Sequence, residues 1–298
     1  MDQMDKIENE IIKSFLTKKS IGEDLEITKD NILRIGLQIA FEMGYRLQLA
    51  RFRGKVSAHV KNDGTNVTGI DQCIENETRD LIKKAFPQHV IVGEENGGSL
   101  EQHQYNWIVD PIDSTNAYMS FENTSSFTLA LLKDDEIIMG IVYNPFTGEL
   151  FYGIDAFRSR LITRINFSNE YMAVNLPFEQ VQEDRSFVDI HPRKHSVPII
   201  YKFEQAWADG KIHKVLSTGG SPAFGISSSA KGAIIYISDW ESVASPWDLV
   251  AATKIVRNAG GDIVDVNGSS IDPFSHQGIF VSAINRKFTD QALEIINR

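Results

Sequence analysis

Apolar positions along the chain switch between the helical and strand periods, and the switches divide it into elements. Ile7, Ile11, Ile12, Phe15 and Leu16 make a helical stripe on a charged background, which predicts an N-terminal helix docked on its own body or, as the second choice, on a partner. Thr28 with Asp30 opens a second helix, apolar at Ile32, Ile35, Ile39 and Met43 and continuing through Leu47 and Leu49. Residues 61–66 are polar and turn-rich, an exposed loop. Asp71 begins a third helix with Ile74, Thr78, Leu81, Ile82 and Ala85 on one side. Residues 90–92 and 107–109 are short apolar runs that predict buried strands. Over 126–152 the pattern is a strand meander that turns at Asp134-Asp135 and at Asn144-Pro145. Residues 155–214 carry only short pieces of either pattern. Beyond them 233–237 reads as a strand, and Ser245 and Pro246 open a helix that Gly260-Gly261 ends. Strands at 263–266 and 278–283 and a helix from Thr289 complete the chain. Periodicity alone supports a mixed α and β protein.

Length adds a division. At 298 residues the chain is long for one compact core, so a helical extension (1–27), an N-terminal α+β half (28–154) and a C-terminal α/β half (155–298) are expected. A formal net charge of −10 argues against a nucleic-acid backbone or an anionic membrane as partner, although an acidic protein can still bind phosphate through metal ions. The single Cys73 excludes an internal disulfide and a thiolate zinc site, and fits a reducing compartment. No apolar run approaches membrane-spanning length, and residues 1–19 are charged where a secretory leader would be apolar. A soluble, cytoplasmic protein is expected.

Candidate chemistry concentrates at Asp110-Pro-Ile-Asp-Ser-Thr-Asn-Ala-Tyr118. Pro111 fixes φ and removes a backbone donor, so 110–113 is expected as a rigid turn behind the 107–109 strand, with Ser114-Thr115-Asn116 starting a helix. The unpaired N–H groups of a helix start suit a phosphate, and two hard carboxylates beside them point to Mg²⁺ with a phosphate ester. Further acids, Asp71, Glu94 and Asp248, sit at other predicted segment ends. Two divalent ions about 3.5–4 Å apart can hold an attacking water and a leaving oxygen, and such a pair needs carboxylates from several segments. Other constellations fail: Pro192 lies between His191 and His195, and there is no nucleophile elbow, Walker loop or Gly-x-Gly-x-x-Gly run.

Asp110-Pro-Ile-Asp113 with Thr115-Asn116, preceded by Val67-Thr-Gly-Ile-Asp71 and Gly93-Glu-Glu95 and followed by Pro246-Trp-Asp-Leu-Val-Ala-Ala252 and Ala259-Gly-Gly261, resembles the ordered motifs of the inositol monophosphatase family. The resemblance implies a layered α-β-α-β-α sandwich and a Mg²⁺-dependent, Li⁺-sensitive phosphatase of small phosphate esters, homodimeric, with two or three Mg²⁺. It implies that Glu94, Asp110 and the carbonyl of Ile112 hold one ion, that Asp110, Asp113 and Asp248 hold a second, and that Glu94 and Thr115 activate the attacking water with Asp71 bonded to Thr115. The N–H groups of Ser114 and Thr115 would hold phosphate; the family usually has glycine at the Ser114 position. Glu241, seven residues before Asp248, matches a carboxylate that binds a substrate hydroxyl or amine, favouring a polyol or amino-alcohol and disfavouring a nucleotide bisphosphate. Gly220, Ser221 and Lys61 are further substrate-side candidates. Inositol monophosphate is the default substrate; histidinol phosphate, fructose 1,6-bisphosphate and 3′-phosphoadenosine 5′-phosphate are the alternatives. A non-catalytic phosphate sensor keeping the fold is the rival from another class.

Overall fold

The structure is a computed structural model that describes residues 3–16, 22–54, 58–60, 66–164, 170–179 and 186–298. Lys61 lies outside the described residues. In chain order the elements are α1 (Gln3–Leu16), α2 (Lys29–Phe52), the hairpin β1 (Ala58–Val60) and β2 (Asn66–Thr68), α3 (Gly69–Ala85), β3 (Val90–Gly93), β4 (Tyr105–Asp113) and α4 (Thr115–Met119). Five strands follow, β5 (Ser126–Lys133), β6 (Glu136–Asn144), β7 (Glu149–Ile154), β8 (Arg160–Arg164) and β9 (Tyr171–Asn175). The remainder alternates: β10 (Phe187–Ile190), α5 (Val197–Ala208), β11 (Lys214–Leu216), α6 (Pro222–Ser229), β12 (Ile234–Trp240), α7 (Pro246–Asn258), β13 (Asp262–Asp265), β14 (Gly278–Ala283) and α8 (Arg286–Ile296).

Strands β3 to β9 form one seven-stranded sheet in sequence order, parallel only between β3 and β4. Its central strands, β4 to β7, are buried on both faces over most of their length. Phe127, Leu129 and Leu131 of β5 pack toward α2 and α3, while Ala130 and Leu132 pack toward α7 and the second sheet. That second sheet has the order β11-β10-β12-β14-β13, with α5 and α8 on its outer side and α6 and α7 between the two sheets. The five expected layers are therefore present: helices, sheet, helices, sheet, helices.

α1 docks on its own body. Met4, Ile7 and Ile11 join the core cluster under α2, Tyr152 Oη donates to the buried Glu8 at 2.5 Å, and Arg160 reaches Asp5 at 2.9 Å. The first sheet does not stop at 154: β8 and β9 extend it through Asn175. The irregular 155–160 turn is tied to α7 through the Lys254–Asp155 ion pair and by Asn258 Nδ2, which donates to Ile154 O at 2.8 Å and Phe157 O at 3.1 Å.

Candidate metal and phosphate site

The expected turn at 110–113 is instead the bulged end of β4. Asp110 pairs with Thr128 of β5 and Asp113 with Ser126, so three steps on one strand oppose two on the other. Pro111, lacking an N–H, sits where the ladder is broken. Residues three apart on a regular strand face opposite ways; the extra residue brings both carboxylates to one side. Ile112 N donates back to Asp110 Oδ1 at 2.8 Å, locking the bulge.

Two further acids arrive as helix caps. Asp248 is the third residue of α7, where its Oδ2 accepts from Ser245 N at 3.1 Å, and Thr128 Oγ1 donates to Trp247 O at 3.1 Å, fastening that helix start to β5. Asp71 is likewise third in α3, two residues into the helix it was expected to begin; its Oδ2 accepts from Thr68 N at 2.8 Å and its Oδ1 from Thr115 Oγ1 at 3.3 Å. Asp110, Asp113 and Asp248 each offer a carboxylate oxygen within 4.8 Å of the others. Glu94 follows β3 and hydrogen-bonds Asp110. Burial pushes Asp110 and Asp248 well above the usual carboxylate range, and the neighbouring acids add to it. Asp113 is pushed up to about 7 by burial, with Ser221 and the N–H of Ala223 working against the shift. Hard oxygen donors crowded at this spacing repel one another unless a cation lies among them, so the donor set fits a divalent ion such as Mg²⁺.

Several positioning groups carry no local sequence signal of what they touch. Glu75, fully buried on α3, accepts from Glu95 N at 2.7 Å and Asn96 N at 3.1 Å and is held by Arg79 Nε at 2.8 Å, which fixes the turn that presents Glu94. Gly93 is required there, since a Cβ would lie 2.3 Å from the Glu75 carboxylate. Ser221, expected to line the substrate pocket, is buried and donates to Asp113 Oδ2 at 2.5 Å, beside Ala223 N at 2.9 Å. The adjacent Gly220 has φ +100°, and a Cβ there would meet Thr124 Oγ1 at 2.2 Å, so the 217–221 loop closes tightly on the first sheet.

Ser114 adopts φ 70° and ψ 67°, a left-handed conformation usually given to glycine, before the short helix α4. Glu241 lies on the loop between β12 and α7, but its side chain is 77% exposed and its Oε1 is 2.8 Å from His195 Nδ1. Arg193, on the loop after β10, was not singled out by any motif; its guanidinium stacks over Trp240 at 4.5 Å and its charge works against the raised pKa values of Asp113 and Asp248.

The sequence profile of the inositol monophosphatase family matches residues 28–298. The chain is 27% identical over 252 residues to inositol monophosphatase 2 of Solanum lycopersicum, covering 81% of this chain and 89% of that one. It is 28% identical over 237 residues to the fructose-1,6-bisphosphatase/inositol-1-monophosphatase of Thermotoga maritima, covering 78% and 82%. An IMPase structure from Thermotoga maritima superposes with a TM-score of 0.73 at 21% identity, over 90% of this chain and 97% of that one. No helix among the described residues is long and apolar enough to cross a membrane. The chain belongs to the inositol monophosphatase family, metal-dependent phosphoric monoester hydrolases that act on small phosphorylated substrates.

Proposed function

We propose that this phosphatase hydrolyses a phosphate monoester of a small polyol, the class that runs from inositol monophosphate to fructose 1,6-bisphosphate, with Mg²⁺ as its cation. The observation that carries the reading is the convergence of Asp110, Asp113 and Asp248 within 4.8 Å, beside Glu94 and Thr115. Asp110, Asp113, Asp248, Glu94 and the carbonyl of Ile112 are the groups that would hold two or three Mg²⁺. When bound there, Mg²⁺ supplies positive charge that offsets the phosphoryl oxygens and lowers the pKa of water.

The remaining steps belong to the chain itself. The Thr115 hydroxyl donates to Asp71 Oδ1 and to Ile112 O, each at 3.3 Å, which leaves its oxygen lone pairs to orient a water, and Glu94 would serve as the base toward that water. The N–H groups of Ser114 and Thr115 orient the phosphate, with the φ of Ser114 turning the chain toward it. Glu241 orients a substrate hydroxyl; its exposed carboxylate is shared with His195. We assign the enzyme to the cytoplasm as a Li⁺-sensitive homodimer on the same family reading.

The test is phosphate release with millimolar Mg²⁺ from inositol 1-phosphate, fructose 1,6-bisphosphate, histidinol phosphate and 3′-phosphoadenosine 5′-phosphate, each repeated with Li⁺. Turnover of a polyol ester, suppressed by Li⁺, is the expected result. A folded protein that releases nothing from either polyol ester refutes the reading.

A further inference from the structure

β10 stops at Ile190, whereas its parallel neighbour β12 runs on to Trp240. The loops that follow, 191–196 and 241–245, meet across the crevice beyond the carboxyl ends of the two strands. His191 N still donates to Ile237 O at 2.9 Å. Carbonyls on one side of a strand recur at every second residue, so the Asp239 carbonyl points the same way, past the end of β10. A main-chain carbonyl needs a donor, and here a side chain supplies it. His195, on a short 3₁₀ turn at Lys194–Ser196, sets its Nε2 3.0 Å from Asp239 O.

The other ring nitrogen meets a second acceptor, Nδ1 lying 2.8 Å from Glu241 Oε1. A carbonyl only accepts, so Nε2 carries a proton; an ionised carboxylate only accepts, so Nδ1 carries one too. His195 therefore satisfies both partners only as the imidazolium. A further carboxylate oxygen, Asp239 Oδ2, lies 3.9 Å from Nε2 and favours the same charge. Glu241 is mostly exposed, and among the described residues His195 alone pairs with its carboxylate. Gln277 fastens only the main chain there, its Nε2 donating to Glu241 O at 2.6 Å. The pair engages Oε1 and leaves Oε2 for a ligand.

We infer that His195, as the imidazolium, is a positioning residue that fixes the Glu241 carboxylate for a substrate hydroxyl, so that preference for a polyol weakens when the ring loses a proton. The inference deepens the polyol-phosphatase reading and rests on it for the role of Glu241. Histidine is the side chain that gives up its charge between about pH 5 and 8. The neutral ring turns a lone pair toward one of its two acceptors, and the exposed carboxylate is the one able to swing away. A carboxylate released in this way loses rotamer freedom each time a ligand orders it, and binding weakens by that cost. Two other charged groups belong to this surrounding, Arg193 on the same loop and His276, which also feels Asp239. An arginine does not titrate in this range, and burial lowers His276, so neither gains or loses its charge chiefly above pH 6.5.

The experiment is a calorimetric titration of the full chain, with Ca²⁺ in place of Mg²⁺, against inositol 1-phosphate and ethyl phosphate at pH 6.5 and 9. Both esters share the phosphate and the acid cluster, so the ratio of their affinities cancels the titration of those groups. At pH 6.5 the wild type should prefer inositol 1-phosphate by about 10-fold, and the preference should fall several-fold by pH 9. His195→Gln should give the lower ratio at both pH values, and His195→Arg, a permanently charged donor, the higher ratio at both. A fold defect weakens both esters alike and leaves the ratio. A wild-type ratio that is level with pH, or a fall with pH that persists in His195→Gln or His195→Arg, overturns the assignment. If the wild type releases phosphate from no ester, the polyol-phosphatase reading fails separately, while the pH dependence of the ratio still decides the role of His195.

Discussion

The crowded carboxylates make stability without divalent cations fall as pH rises from 6.5 to 8. Burial pushes Asp113 up to about 7 in the fold, against about 3.8 in the unfolded chain, and holds Asp110 and Asp248 well above the usual carboxylate range. A group whose folded pKa is raised favours folding below its unfolded pKa, and that contribution is lost as pH climbs through the folded one. Three histidines oppose this trend. His89 and His191 are depressed to about 4 and His276 is lowered as well, chiefly by burial, so they raise stability with pH, and half of that titration is complete at the unfolded pKa near 6.5. Between pH 6.5 and 8 what remains is about 0.4 kcal/mol for each histidine, so the carboxylates set the sign. Each extra proton retained by the folded state through that interval costs about 2 kcal/mol, from roughly 1.4 kcal/mol per pH unit. For a chain of 298 residues this is a fall in Tm of about 4 °C per proton retained. Scanning calorimetry of chelator-treated protein at pH 6.5 and 8 measures it, and added Mg²⁺ should raise Tm more at pH 8 than at 6.5. Asp110→Asn, which cannot retain that proton, should flatten the slope. A Tm that is level or rising over the interval, or a Mg²⁺ shift independent of pH, would refute the electrostatic account of the site.

Asp110→Asn should also abolish phosphate release while leaving the far-ultraviolet circular dichroism intact; near-normal turnover would remove Asp110 from the cation site. Glu75→Gln takes a charge from a buried carboxylate that accepts three N–H groups, so it should destabilise the fold by about 2 kcal/mol and weaken Mg²⁺ binding through the Glu94 turn, both readable from melting curves with and without Mg²⁺. Ser114→Gly relieves a left-handed serine and should raise stability by about 1 kcal/mol, checked by denaturant midpoint.

Local rules make much of this fold legible in the sequence. The Thr28 cap, the Asp134-Asp135 hairpin turn with both residues at positive φ, and the meander over β5 to β7 follow from capping, turn chemistry and period-two burial. The stretch 155–214 resisted for a physical reason. β8, β9, β10 and β11 run from three to five residues, too short for a period to declare itself, and β10 and β11 are parallel strands whose partners lie across a helix. The sequence of 110–113 predicts a turn where the structure has a bulge because a proline in a bulge and a proline in a turn have the same local signature.

The acids of the site were readable for a related reason. Asp71 and Asp248 obey the capping rule, Asp71 with its second oxygen turned to Thr115, so the third residue of each helix, which closes the capping box, also delivers a carboxylate to the centre. A capping box is set within four consecutive residues, and sequence alone therefore locates it. What the groups that tune those acids touch has no such signature, even for Ser221, which is itself the cap of α6. Ser221 reaches Asp113 across 108 positions, Glu75 reaches Glu95 across 20, and Arg193 meets Trp240 only because β10 and β12 are neighbours in a sheet. Short-range constraints thus specify where charge is delivered, whereas topology specifies what surrounds it. Substrate choice depends on the second of these, which is why the chemical class could be read along the chain and the crevice beside it could not.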